Sequence, residues 1–157
     1  MFDPVVVGIV RGAGVGATLT LRIGGKFSPR SGPPLDLEVR VHAIQDDHRQ
    51  TTVAGQRMRC GNCVVLETQE GVFLVLNDVR TQTFNPDAFT GLGLDPAQAP
   101  IVVVKSTQHF YAGFAPIASA TFYVKTDAAI RFEGPVSPYK RRNSNYWPMV
   151  DDPFAVA

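Results

Sequence analysis

The chain has 157 residues, a length suited to one domain with a core of its own. Hydrophobic residues make up 45% and charged residues 18%, which excludes a disordered chain; 15 Lys and Arg against 14 Asp and Glu leave a net charge of +1 and no general pull toward nucleic acid or an anionic membrane. No apolar run approaches a membrane span, and the opening "MFDPVVVGIVRG" lacks the basic start of a secretory signal, so the expectation is a cytoplasmic protein.

In chain order, Asp3 is placed to cap a short helix with Pro4 at its first position, giving an opening helix over 1–14. "ATLTLRI" alternates, with Leu19, Leu21 and Ile23 on one face, and reads as a half-buried strand. "GGKFSPRSGPP" reads as a Gly/Pro loop. "LDLEVRVHAI" alternates again, "QDDHRQ" reads as a turn, and "TTVAGQRM" as a further strand broken near Gly55. "CVVLET" and "VFLVLND" are strands joined by the hairpin signal "QEG".

Beyond residue 84 the pattern changes. Asn85 and Pro86 open a short helix that Gly91 or Gly93 stops. "IVVVK" is the apolar run of a strand covered on both faces, "STQHFYAGFAPIASA" is helix-like, and "TFYVKT" reads as the last strand. The predicted fold class is therefore mixed α/β (α+β). Antiparallel strands and a hairpin come first, then a parallel β-α-β-α-β unit, all in one domain over 1–157. The stretch 135–157 is an irregular Pro-rich tail that Tyr139, Tyr146 and Trp147 are expected to pin to the body.

Several motifs are weighed and set aside. "GAGVGA" matches the dinucleotide pattern, but a strand follows the glycines where a helix is required. "IGGKF" resembles the end of a phosphate loop, yet Thr20 replaces its first glycine and Phe27 its hydroxyl. Lys140-Arg141-Arg142 reads as a solvated tail. Cys60 and Cys63 form a lone C-x-x-C without the second pair that a four-ligand zinc site needs, and read as reduced thiols flanking a Gly-Asn turn. His42 reads as solvated on a polar strand face and His48 as part of a solvated turn. Neither H-E-x-x-H nor G-x-S-x-G occurs.

What remains is a pair of polar clusters, "NDVRTQTF" and "KSTQHF". Each follows a predicted strand and opens a predicted helix, and ligands of open α/β sheets gather beyond such strand ends. The candidate cleft or interface residues are Arg80, Thr81, Gln82, Lys105, Ser106, Gln108 and His109. Ser106 is placed to cap the helix, with His109 at its third position, where free N–H groups favour neutral imidazole. A working site and a well-capped turn both fit this pattern.

The blocks "LRIGGK" with "SGPPLDLEVRV", "LNDVRTQTFNPDAFTGLGLDP" and "IVVVKSTQHFYAGFAPIA" resemble, in that order, the C-terminal domain of the MlrC family of microcystin-degradation-type metallopeptidases. The resemblance runs from about "DPVVVGIV" to "WPMVDDPF". It implies a two-domain enzyme in which a larger N-terminal domain carries zinc and this domain closes the cleft. It also implies that zinc-activated water hydrolyses amide bonds of small linear peptides such as linearised microcystin. The larger domain is absent from this sequence, so the resemblance places no zinc ligand on any residue here and implies little activity for the chain alone. The implied partners are that zinc domain, in the same protein or another chain, and a small peptide. No nucleic acid or membrane is expected, and a homo-oligomer is left open. The alternatives are a docking domain without catalytic contacts, or a small-molecule-binding module.

Overall fold

The computed structural model describes residues 1–27, 29–124, 126, 141, 143, 145–147 and 149–155. The chain divides into two compact units, Met1–Phe122 and Tyr123–Ala157.

The first unit is built on α1 (Pro4–Ala13), β1 (Thr18–Ile23), β2 (Leu35–Thr51), β3 (Arg57–Thr68) and β4 (Phe73–Asn77). The four strands form one antiparallel sheet in the order β1-β2-β3-β4. α1 forms where the cap signal places it: the Val6 N–H donates to Asp3 Oδ1 at 3.3 Å, and Pro4 sits in the first turn. Its Val6, Val7 and Val10 pack against Leu21, Ile23, Val39, Val41, Val64, Leu66 and Leu76. Between α1 and β1, Gly14 and Gly16 adopt positive φ, so the glycines follow a helix and precede a strand.

β2 runs on through "QDDHRQ", which the sequence marks as a turn. Irregularities in the β2–β3 register absorb the polar residues. The first, between Val41 and Ala43, switches faces: Val39 and Val41 point to α1, whereas Ala43 packs on the other side. The second lies between Gln45 and His48, where Asp47 takes φ 43°. The hairpin turn is instead at Thr52–Gln56, where the Thr52 N–H donates to the Gln56 carbonyl at 2.8 Å, so "TTVAGQRM" is a turn flanked by two strand ends. The C-x-x-C likewise lies inside β3 rather than at a turn. Gly61 there takes φ 82°, and a Cβ on it would lie 2.6 Å from Val79 Cγ2. Asp78 holds this irregularity by accepting from the backbone N–H and the Nδ2 of Asn62 at 2.8 and 2.7 Å.

The second face of the sheet is covered by the chain after β4. α2 (Asp87–Thr90) and the loop behind it bring Leu92 and Leu94 onto Cys60, Cys63 and Val65. Asn85 contributes a carbonyl to the turn rather than a side-chain cap, and Pro86 occupies the cap position. α3 (Tyr111–Phe114) buries Phe114, whose ring meets Phe89 edge-on at 6.0 Å.

The predicted parallel β-α-β-α-β unit is absent among the described residues. Ile101–Lys105 is not part of the sheet, Thr121–Val124 forms no strand, and the long predicted helix shrinks to α3 plus a 3-10 turn at Ala115–Ile117. Among the described residues β4 pairs with β3 and with a single parallel bridge from Phe2, and no described strand lies beside Ile101–Lys105. Pro116 and the short reach of α3 also stop a long helix.

In the second unit, the Met149 and Val150 N–H groups donate to the Tyr146 carbonyl, and Asn145 Nδ2 donates to Pro153 O at 3.1 Å. Trp147, expected to pin the tail, is 72% exposed. Lys125 of "TFYVKT", Tyr139, Lys140 and Arg142 lie outside the described residues.

Candidate functional site

The site is organised by Gln50, a residue the sequence pattern hides inside an apparent turn. Gln50 belongs to β2 and is 1% exposed. Its Nε2 donates to the Gln82 carbonyl at 2.6 Å and reaches Thr81 Oγ1 at 3.5 Å, while its Oε1 accepts from the Phe84 N–H at 2.9 Å. A single buried amide thus satisfies the backbone of the loop that leaves β4, as a buried polar group must be satisfied.

That loop presents Gln82 to the second cluster. Gln82 Oε1 lies 2.9 Å from His109 Nδ1 and 3.4 Å from Ser106 Oγ. The Phe84 ring stacks on the His109 imidazole, 5.5 Å between centroids and 21° between planes. Thr81 Oγ1 donates to Met58 Sδ and to the Gln82 carbonyl, at 3.3 and 3.2 Å. Gly113 makes the packing possible, since a Cβ there would sit 2.7 Å from the Phe84 carbonyl oxygen. Four of the seven sequence candidates, Thr81, Gln82, Ser106 and His109, therefore come together, and Gln50 and Phe84 join them.

The other three stand apart from this group. The Arg80 guanidinium lies over Phe2 and Phe27, 4.4 and 5.0 Å from the ring centroids. Lys105 is exposed; together with burial, the larger effect, its charge lowers the Met1 amine to about 6. Gln108 is exposed and contributes its carbonyl, which accepts from the Tyr111 N–H at 3.0 Å. Ser106 does not cap a helix, because α3 starts only at Tyr111, and His109 precedes the helix rather than sitting in its first turn. What holds His109 is Gln82, not a helix end.

The remaining reactive groups have structural settings. His48 is buried, with Nε2 3.3 Å from the Ala88 carbonyl, rather than solvated in a turn; burial lowers its pKa against the opposing pull of that carbonyl. His42 is half-buried, edge-on to Phe73 and 3.9 Å from Glu67. Cys60 and Cys63 are free and buried, and burial raises both thiols, Cys63 to about 12, which makes them poor nucleophiles. Lys26 of the "GGK" loop donates to the fully buried Asp3 carboxylate at 2.5 Å and to the Arg22 carbonyl at 2.6 Å. That motif is therefore a structural clasp on the cap of α1. A polar hollow of about 450 Å³ beside His48 is lined by Arg49, Arg57, Asp47 and Asp87, whose charges are already paired with one another.

Among the described residues no three His, Cys, Asp or Glu side chains gather where they could hold a metal ion. His42, His48 and His109 occupy three separate settings, so these residues do not fit a zinc site. No helix among the described residues is long and apolar enough to cross a membrane.

The profile of the family described as MlrC C-terminus matches residues 1–141. The chain is 30% identical over 148 residues to Microcystinase C of Sphingomonas sp, covering 94% of this chain and 28% of that protein. It is also similar to the crystal structure of a "Putative metallopeptidase" from Mesorhizobium sp. BNC1, with a TM-score of 0.68 and 28% identity over 75% of this chain and 24% of that one. The chain thus spans about a quarter of the length of the relatives it matches.

Proposed function

The chain belongs to the MlrC C-terminus family, and from that premise we propose that it serves as the second domain of a peptide-cleaving hydrolase, completing the cleft in which a small linear peptide binds. The observation that carries this reading is the meeting of the two polar segments, 80–84 and 105–110, through the Gln82 side chain. Exposed His109, with Ser106 beside it, offers hydrogen bonds to a peptide, and the buried Gln50 amide holds the supporting loop. In this reading the catalytic metal that the family implies is held by the larger remaining part of the enzyme, in keeping with the lack of a ligand cluster among the described residues. The setting we propose is cytoplasmic, in keeping with sparse cysteine usage, two in 157 residues.

A docking role is the second reading, and Ile101–Lys105 favours it. Ile101 and Val103 are 81% and 82% exposed, while Val102 and Val104 between them are half-buried. This alternation is that of an extended segment with one apolar face exposed. The larger part of the family architecture is the partner we propose for it.

The deciding experiment assays hydrolysis of a short linear peptide by this chain alone and by a protein that joins it to the remaining family sequence. Activity in the joined protein alone, with His109→Ala lowering kcat by about 10²-fold at unchanged Tm, supports the cleft reading. Full activity of His109→Ala overturns it and leaves docking as the function.

A further inference from the structure

We infer that Gln82 is a positioning residue that fixes the tautomer of His109, so that the imidazole meets its ligand as a hydrogen-bond acceptor. Neutral imidazole carries one N–H, and the partner of one nitrogen decides the state of the other. Nδ1 faces the Gln82 amide oxygen at 2.9 Å, and that oxygen also receives Ser106 Oγ. An oxygen acceptor requires the proton on Nδ1. Nε2 is then left with its lone pair on an exposed ring whose plane is set by the stacked Phe84. The backbone that carries Gln82 is held in turn by buried Gln50, which pairs with the Gln82 carbonyl and the Phe84 N–H.

The consequence is chemical selectivity. A neutral His109 of this tautomer cannot donate from Nε2 to a carboxylate or an oxyanion. It accepts from an N–H, and a peptide amide supplies one. This last step rests on the proposed function; the tautomer does not.

The test is nitrogen-15 NMR of the imidazole in the 157-residue chain at about pH 9, well above the ordinary imidazole range. The expected result is a pyrrole-type signal for Nδ1 and a pyridine-type signal for Nε2. Gln82→Glu, which keeps an oxygen acceptor, retains that pattern. Gln82→Met, of similar shape without an acceptor, loses it while the backbone amide signals of β2 and β3 stay in place. A wild-type His109 protonated on Nε2, or a tautomer indifferent to Gln82→Met, overturns the inference. Either result leaves the peptide-hydrolysis assay to stand or fall separately.

Discussion

At the scale of single residues, two of the buried polar side chains of the first unit, Gln50 and His48, are not read easily from sequence. Gln50 pairs with backbone groups of residues 82 and 84. Gln50→Leu fills the same space but strands the Phe84 N–H, and we expect a loss of about 1–3 kcal/mol, read as a lower urea midpoint at unchanged slope. His48 gives a pH signature. Its folded pKa lies below the ordinary 6.5, chiefly through burial. The unfolded chain therefore takes up a proton first as pH falls, and stability declines from about pH 6.5 down to the lower folded value. Thermal melts between pH 7 and 5 should show that decline in the wild type and a shallower one in His48→Gln.

At the scale of elements, the bulges in the β2–β3 pair decide which side chains meet. The sequence alternation in "LDLEVRVHAI" is legible because each apolar residue has a polar neighbour on the opposite face. It stops being legible at His42, where one irregularity exchanges the faces. Gly61 is the position where the bulge has no latitude: φ is 82° and a Cβ would overlap Asp78 and Val79. Gly61→Ala should destabilise by about 1–3 kcal/mol and loosen the loop that carries Gln82, detected as faster amide exchange at residues 78–84. The thiols beside it give the alkaline counterpart of His48. The folded Cys63 pKa is raised from 9.0 to about 12 by burial, then by Cys60. The unfolded thiol ionises first, so stability falls as pH rises from about 9 and stops falling near 12. Cys63→Val should flatten most of that limb in melts between pH 8 and 11; Cys60, whose pKa is also raised, accounts for the remainder.

At the scale of the whole molecule, the apolar runs after residue 100 separate folding from assembly. Ile101 and Val103 point away from the described body. Double replacement, Ile101→Lys with Val103→Lys, should leave the melting temperature of this chain within about a degree or two, since surface changes stay within about 0.5 kcal/mol. In a protein that includes the remaining family sequence, we expect the same pair to weaken association or activity. Unchanged behaviour there would remove the docking reading. The two sheet faces are covered unequally in kind, one by a helix and one by loop and short helices, and the candidate site lies on the loop-covered side. Its precision comes from the rigid strand beneath it, through Gln50.

Sequence by itself determined the cap and extent of α1, the strands β1 and β4 and the second half of β3, the rejection of the glycine motif as a nucleotide loop, and the two polar segments that meet at the site. Those readings rest on local rules: a capping carboxylate, period-two alternation, and the order of helix, glycines and strand. Tertiary structure alone decided that "QDDHRQ" continues a strand, that Gln50 rather than a helix end supports the site, and that Ile101–Lys105 is not part of the sheet. Each of these depends on a partner distant in the chain. A polar residue in a strand is stable only if something opposite accepts its hydrogen bonds, and an apolar run becomes a strand only when another strand lies beside it.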